Sequence, residues 1–115
     1  MKLASDSEES CLKVYEPLFR LIRSIPPGHV MSYGQAADCV DEVRLTARMV
    51  GHAMRFAPSG VPWHRVVSAN GRLSTEKISP ELMLRQRELL LAEGVIFLND
   101  AQTVVDMAVC RYIAH

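Results

Sequence analysis

Apolar residues recur at three- and four-residue spacing near the start of the chain. Between Glu8 and Ile25 these positions are Cys11, Leu12, Tyr15, Leu18, Phe19 and Ile22. This spacing places them on one face of a helix. Pro26 and Pro27 stop it, because proline cannot continue the hydrogen-bond ladder. The pattern predicts an amphipathic helix over Glu8–Ile25 and then a short extended segment over 29–31.

Two shorter helices are predicted next. Ser32 precedes Gln35 by three residues, which is the spacing of a capping box, so a helix is expected from Tyr33 to Val40. After a polar break, helical periodicity returns over Leu45–Arg55, and the side of this helix away from the core carries Arg48, His52 and Arg55. Two short helices joined by a few residues are typical of a helix-turn-helix, whose second helix enters a groove of DNA.

The second half of the chain mixes strand and helix signals. His64–Val67 predicts a short strand that runs into a turn at 69–71, with Leu73 beginning the return strand. Ser79 and Pro80 predict the start of a fourth helix that ends before Gly94. Two further segments are predicted to pair as a hairpin across a turn at 99–100, namely Val95–Leu98 and Thr103–Val109.

These elements predict an α+β fold, mainly helical, with a winged helix-turn-helix-like core. Residues 1–115 have the length of one domain. Residues 1–7 are expected to be frayed. Residues 99–115 form a C-terminal extension to which the sequence assigns no role.

Composition narrows the class of protein. Apolar residues make up 49% of the chain and charged residues 23%, and no apolar run approaches the roughly 18 residues of a membrane span. The N-terminus lacks the order of a secretory signal. The three cysteines are scattered and form no CxxC pair, which argues against disulfides and zinc. We expect a cytoplasmic monomer, nuclear in a eukaryote, with no membrane contact, metal or cofactor.

Charge alone does not indicate a polyanionic partner, because 13 basic residues balance 13 acidic ones. The charges are segregated, however. The central span has acids only at its margins and contains Arg44, Arg48, Arg55, Arg65 and Arg72. The sequence therefore predicts a basic face in the middle of a neutral protein.

Four motifs together resemble a known family. They are Ile25-Pro26-Pro27-Gly28, Ser32-Tyr33-Gly34-Gln35, Ala47-Arg48-Met49-Val50-Gly51 and Pro62-Trp63-His64-Arg65-Val66-Val67. Their order and spacing resemble the C-terminal domain of O6-alkylguanine-DNA alkyltransferases over about residues 14–95. In those enzymes the last motif reads Pro-Cys-His-Arg-Val, and its cysteine takes the alkyl group. With Trp63 at that position, the chain is similar to the alkyltransferase-like branch.

The resemblance implies that no alkyl transfer occurs. Transfer needs a thiolate, and an indole is not a nucleophile at neutral pH. His64 matches the base of the enzymes and Glu93 the acid that orients it, so we interpret this pair as a structural hydrogen bond. Residual transferase activity through another cysteine, Cys11, Cys39 or Cys110, stays open as an alternative.

The resemblance also implies a DNA-binding surface. Arg48 matches the arginine that fills the base stack when a nucleotide is rotated out. Tyr33 matches the tyrosine that crowds the phosphate of that nucleotide, and it lies at a helix N-terminus, where anions are favoured. The third helix carries small residues that are expected to allow close approach to the minor groove, namely Thr46, Ala47 and Gly51. His52 is expected beside them on the same DNA-binding surface.

A lesion pocket is implied beside this surface. We expect Trp63 to pack against the flipped base, with further walls from Tyr33, Pro62, His64 and Val66. Relatives can place a basic residue near the O6 atom of the lesion, but the matching position here is Glu76. Glu76 and the adjacent Lys77 are both included in the predicted pocket, with Lys77 as the substitute for that basic residue.

These observations predict a non-enzymatic protein of damage recognition. It would bind duplex DNA containing O6-alkylguanine, flip the base and flag the lesion for nucleotide-excision repair proteins. A sequence-specific helix-turn-helix regulator is the alternative from another class. That alternative predicts long, polar, base-reading side chains on the third helix, where Thr46, Ala47 and Gly51 stand.

Overall fold

The computed structural model describes residues 14–113. Helix α1 occupies 14–23 of this part and is followed by strand β1 (Met31–Ser32), helix α2 (Tyr33–Cys39) and helix α3 (Ala47–Met54). Strand β2 (Val66–Val67), helix α4 (Pro80–Ala92) and helix α5 (Met107–Cys110) complete the order, with 3-10 helices at Trp63–Arg65 and Ser74–Lys77. The predicted mainly helical α+β fold is confirmed. The predicted start of the first helix, frayed residues 1–7 and the place of Cys11 lie outside the described residues.

The helix ends follow local hydrogen bonding. Helix α2 has the predicted capping box: the Ser32 hydroxyl accepts from Gln35 N at 3.0 Å, and Gln35 Oε1 accepts from Ser32 N at 3.4 Å. Helix α3 begins at Ala47, so the predicted start at Leu45 was two residues early. The reason is Thr46, whose hydroxyl caps the helix by accepting from Met49 N at 3.2 Å.

The first helix also ends earlier than predicted. Helix α1 stops at 23 rather than at Ile25. Ser24 N and Ile25 N bond to the carbonyls three residues back, those of Leu21 and Ile22, at 3.0 and 3.1 Å. The last turn before the prolines is therefore a tighter turn of the 3-10 type.

The two strands pair in parallel and separate two parts of the core. Met31 lies opposite Val66, and Ser32 lies opposite Val67. Because side chains alternate across a strand, Met31 and Val66 pack with α1, α2 and α3, whereas Val67 packs toward α4. The predicted strand over His64–Val67 is wrong in its first half, where Trp63–Arg65 forms a 3-10 helix with Arg65 N bonded to Pro62 O at 3.0 Å.

The predicted return strand at Leu73 does not form. The backbone N–H of Leu73 instead bonds to Thr103 O at 2.9 Å, and Arg72 and Val104 form an antiparallel β-bridge. This part of the chain thus pairs with the C-terminal extension. The 3-10 helix Ser74–Lys77 then leads into α4, which begins after the predicted cap Ser79 and ends before Gly94 with its φ of +85°.

The C-terminal extension is part of the core. Phe97 bridges to Val105 in the predicted antiparallel sense. Beyond Val105 the predicted strand is wrong, because the Asp106 side chain accepts from Ala108 N at 3.1 Å and starts helix α5. The next residues run beside Val30, whose N–H bonds to Cys110 O and whose carbonyl accepts from Tyr112 N, at 2.9 and 2.8 Å. The extension therefore completes the second core cluster, which buries Val30, Val67, Leu73, Leu90, Val95, Val105 and Cys110. Among residues 14–113, no helix is long and apolar enough to cross a bilayer.

Candidate nucleic-acid interface

A cavity of about 330 Å³ opens where α2 and α3 face the 3-10 helices and α4. Its aromatic and apolar walls are formed by Tyr33, Met54, Trp63, Val66, Ile78 and Leu82. Its polar lining comes from Arg55, Thr75, Arg85 and Gln86. Apolar and aromatic walls with a few polar groups are the usual composition of a ligand pocket. Two flat aromatic side chains suit a flat ligand such as a nucleobase.

Tyr33 connects the elements around the cavity. It is the first residue of α2, and its hydroxyl lies 3.1 Å from the Ser74 hydroxyl of the second 3-10 helix. Its ring lies beside Gly51 of α3, where an added Cβ would meet Tyr33 Cε1 at 3.8 Å. The tyrosine ring is therefore fixed between α3 and the 3-10 helix at the cavity wall.

Trp63 starts the first 3-10 helix and is half-buried in the cavity wall. Its ring meets the His64 ring edge-on, with centroids 6.1 Å apart and an interplanar angle of 86°. The backbone turn thus sends consecutive side chains in different directions. Trp63 lines the cavity, while His64 is buried away from the lining.

The outer face of α3 is polar and exposed. Thr46, Ala47, Arg48 and His52 lie on it, and the His52 ring contacts the ring of the exposed Phe56 at 4.9 Å between centroids. Within residues 14–113, the Arg48 side chain makes no ion pair or hydrogen bond. A helix face with a small residue beside an uncommitted arginine can approach a nucleic acid backbone closely.

The basic surface is narrower than the sequence predicts. Arg65 is half-buried and paired with Glu93, and Arg72 Nε bonds to Glu76 Oε1 at 2.7 Å. The exposed basic residues of the central span that form no ion pair with any described residue are Arg44, Arg48 and Arg55. The positive charge is therefore concentrated on α3 and at the residues just before and just after it.

Glu93, the residue at the end of α4, binds two side chains at once. Arg65 Nε donates to Glu93 Oε1 at 3.0 Å and Arg65 Nη2 to Oε2 at 2.6 Å, while His64 Nε2 lies 2.9 Å from Oε2. Arg65 Nη1 also donates to the Ile25 carbonyl at 2.8 Å. The cluster joins the C-terminal ends of α1 and α4 to the turn that presents Trp63.

The titration of this cluster follows from its packing. Burial alone would raise the pKa of Glu93, but the hydrogen bonds from Arg65 and His64 outweigh it and lower that pKa to about 2. Burial lowers the pKa of His64 below its ordinary value, against the opposing effect of Glu93. At neutral pH Glu93 is ionised and can only accept, so His64 Nε2 carries the proton and donates it.

Gln86 fixes the other side of the turn. It is buried in α4, and its Nε2 donates to the carbonyls of His64 and Val66 at 3.1 and 3.2 Å. Its Oε1 accepts from the Thr75 hydroxyl at 2.6 Å. The wall that carries Trp63 is therefore held at two points of α4, by Gln86 in its middle and by Glu93 at its C-terminal end.

The sequence of the chain matches a known protein family. Residues 13–95 match the sequence profile of the 6-O-methylguanine DNA methyltransferase DNA-binding domain. The chain belongs to this family.

Curated relatives of the chain include a DNA base-flipping protein and an alkyltransferase-like protein. The chain is 39% identical over 87 residues to a DNA base-flipping protein of Escherichia coli, a match that covers 74% of this chain and 64% of that protein. It thus spans less than two thirds of this relative's length. Alkyltransferase-like protein 1 of Schizosaccharomyces pombe is 37% identical over 83 residues, covering 70% of this chain and 75% of that protein.

A solved structure of the alkyltransferase-like group has the same fold. It is S. pombe Atl1 in complex with damaged DNA containing O6-carboxymethylguanine, with a TM-score of 0.75 and 29% identity. The match covers 89% of this chain and 96% of that one.

The alkyltransferase-like fold brings only part of the predicted lesion pocket together. The residues of that prediction that line the cavity are Tyr33, Trp63 and Val66; those that do not are Pro62, His64, Glu76 and Lys77. Glu76 is held by Arg72, and Lys77 is exposed. Sequence reasoning placed Arg55 only on the basic face and did not single out Arg85, because the direction of an arginine side chain depends on how its helix packs.

No thiol lines the cavity in the described part of this alkyltransferase-like chain. Cys39 is exposed on α2, and Cys110 is buried in the second core cluster. Residues 14–113 also contain no group of three or more histidine, cysteine or acidic side chains arranged to hold a metal ion. The cavity offers aromatic stacking, arginine charge and hydrogen bonding, without a described nucleophile.

Proposed function

We propose that the protein recognises O6-alkylguanine in duplex DNA, rotates the damaged base into the cavity and holds it without transferring the alkyl group. The observation that carries the proposal is the position of Trp63 in the cavity wall. An aromatic plane packs against a base and its substituent, whereas its carbon and nitrogen atoms do not displace guanine from an alkyl carbon.

The absence of transfer is supported by the described cysteines. Cys39 and Cys110 are both outside the cavity lining. The His64 and Glu93 pair, which would serve a thiol in a repair enzyme, is explained here by its hydrogen bonds to each other and to Arg65. These side chains hold the turn that presents Trp63, so their presence does not require chemistry.

Base rotation is supported by the surface beside the cavity. Arg48 is exposed at the start of α3 and makes no side-chain bond with residues 14–113. Its planar, permanently charged group can fill the gap in a base stack and bond to the unpaired cytosine. Tyr33 lies at the cavity wall and at the N-terminus of α2, where a phosphate is electrostatically favoured.

A bound lesion that is not repaired requires another system to remove it. We therefore include nucleotide-excision repair proteins as the downstream partners of the complex. Bending and base rotation would distort the duplex, and such a distortion can be recognised without a dedicated contact to the lesion.

One experiment separates a binder from an enzyme. The protein is incubated with duplexes containing O6-methylguanine or guanine at the same position, affinity is measured by fluorescence anisotropy, and protein and DNA are then analysed by mass spectrometry. We expect tighter binding to the methylated duplex, with the methyl group still on guanine.

Two results would contradict the proposal. Equal affinity for the two duplexes would remove lesion recognition, and a tight dependence on flanking sequence instead would favour a helix-turn-helix regulator. A methyl group found on the protein, or lost from the DNA, would show residual transferase or hydrolase activity.

A further inference from the structure

Arg85 points toward the cavity although acidic neighbours are available on its own helix. Glu81 and Glu88 stand four residues before and three residues after it on α4, which are the spacings at which helical ion pairs form. Arg85 pairs with neither and makes no side-chain hydrogen bond to any residue of 14–113. It is exposed, and it lines the cavity.

The charge of the cavity lining has one sign. Its charged residues in the described part of the chain are Arg55 and Arg85, and no acidic side chain is among them. Glu76, the acid of the adjacent 3-10 helix, is held by Arg72. A pocket with two guanidinium groups and no carboxylate attracts anions, and a guanidinium can bind an oxyanion through two parallel hydrogen bonds.

We propose that Arg85, together with Arg55, binds an oxyanion carried by the rotated nucleotide. The oxyanion is either the phosphate next to the damaged base or a carboxylate at the end of its O6 substituent. This inference rests on the proposed function, because the anion enters the cavity with the base. It assigns to α4 a role in holding the rotated nucleotide, in addition to its structural role through Gln86 and Glu93.

The test compares two variants of the same helix. Arg85→Gln removes a charge at the cavity. Arg87→Gln removes the same charge two residues away, where Arg87 donates to the Ala101 carbonyl at 3.1 Å and does not line the cavity. Both arginines are away from the core, and circular dichroism and thermal unfolding verify that each variant is folded.

Dissociation constants are measured by fluorescence anisotropy on four duplexes at one salt concentration. These contain guanine, O6-methylguanine, O6-(2-hydroxyethyl)guanine or O6-carboxymethylguanine at one position. The hydroxyethyl group is close in size to the carboxymethyl group but uncharged. If the carboxylate is the bound anion, Arg85→Gln weakens binding of the carboxymethyl duplex about tenfold, since a hydrogen bond to a charged group is lost, and leaves the other duplexes at the level of Arg87→Gln.

If the phosphate is the bound anion, Arg85→Gln weakens binding of all three alkylated duplexes by a similar factor of about ten, while binding of the undamaged duplex changes only as with Arg87→Gln. A neutral methylphosphonate next to the lesion then reproduces this loss with the wild-type protein. The inference is wrong if wild type prefers alkylated DNA but Arg85→Gln and Arg87→Gln behave alike on every duplex. If wild type shows no preference for any alkylated duplex, the proposed function fails and the inference fails with it.

Discussion

Arg65 and Glu93 form a two-point ion pair, with Arg65 Nε and Nη2 bonded to the two carboxylate oxygens at 3.0 and 2.6 Å. The Arg65 and Glu93 side chains are only 15% and 16% exposed. The same arginine bonds the last carbonyl of the α1 turn, that of Ile25. Arg65 belongs to the motif at residues 62–67 that resembles the repair enzymes. Its bonds in this structure stabilise the fold.

Glu93→Gln is expected to destabilise the protein by about 2–4 kcal/mol, because it leaves the largely buried Arg65 charge without a counter-charge. Urea denaturation measures the change. The matched control is Arg20→Gln, which breaks the pair of Arg20 with Glu42, whose side chains are 61% and 57% exposed; its cost should stay below about 1 kcal/mol. Similar costs for the two variants would argue against a structural role of the buried pair.

Stability is expected to fall as the pH falls. The pKa of Glu93 is lowered to about 2 in the folded protein, so its contribution is complete above the ordinary pKa of glutamate and is lost as the pH drops toward about 2. The pKa of His64 is also lowered. The unfolded chain therefore takes up a proton at His64 before the folded protein does, and stability begins to decline below the ordinary pKa of histidine.

The measurement is the free energy of unfolding from about pH 8 to about pH 3 at constant ionic strength. Glu93→Gln serves as the control. In this variant most of the decrease in unfolding free energy between neutral and acidic pH, on the order of 2–3 kcal/mol in the wild type, should be absent. A wild-type profile that is flat over this range would contradict the assignment of both groups.

Arg48→Lys and Arg48→Ala test whether this side chain fills the base stack. An ammonium has no plane to insert, so both variants should lose preference for alkylated DNA, with an unstacking cost of a few kcal/mol left uncompensated. A fluorescent base analogue beside the lesion should brighten on wild-type binding and much less with either variant. If Arg48→Lys keeps the fluorescence change and the preference, Arg48 acts only as a phosphate contact.

Gly71→Ala is expected to cost about 2–4 kcal/mol in unfolding free energy. Gly71 has a φ of +88°, and an added Cβ would overlap the Val105 carbonyl oxygen of the C-terminal extension. Gly60→Ala is the control, since Gly60 has a φ of +95° but no atom within 4 Å of the new Cβ. Its cost should be about 1 kcal/mol from backbone strain alone. Thermal unfolding measures the two variants. Equal losses of stability would mean that the Val105 carbonyl moves away to make room for the new Cβ.

Trp63→Cys is not expected to create an efficient alkyltransferase. A thiol has to meet the alkyl carbon in line, and a cavity whose wall is an indole leaves a gap when the ring is removed. Rapid methyl transfer from O6-methylguanine DNA to this variant, detected by mass spectrometry of the protein, would show that the geometry of an enzyme persists.

The parts of the fold that the sequence predicts correctly depend on chemistry within one helical turn. Ser32 with Gln35 and Ser79 with Pro80 define helix starts through bonds to the nearest backbone groups. The first half of the predicted strand at His64 fails because that turn is held by remote groups, the carboxylate of Glu93 and the amide of Gln86. The short segment with β-branched residues from which the strand was predicted does not reveal these hydrogen bonds to remote residues.

The candidate site shows the same division. Arg48 and Tyr33 lie at helix starts and were assigned from motifs, whereas Arg85 is in the middle of a helix with acidic residues on both sides. Periodicity gives the face of α4 on which Arg85 lies, but not what that face meets. Lys77 was included from its position beside Glu76, yet its side chain is exposed rather than in the cavity lining, because the 3-10 helix turns it outward.

The bonds of Val30 to Cys110 and Tyr112 have a consequence for synthesis. A ribosome releases α1, α2 and α3 first, so these helices can assemble while β1 still lacks β2 and Val30 still lacks its C-terminal neighbours. Closing so long a loop costs chain entropy, and the second core cluster can form only after α5 has emerged. The nascent protein therefore carries α2 and α3, the helices proposed to face DNA, before it has the wall against which a rotated base would rest.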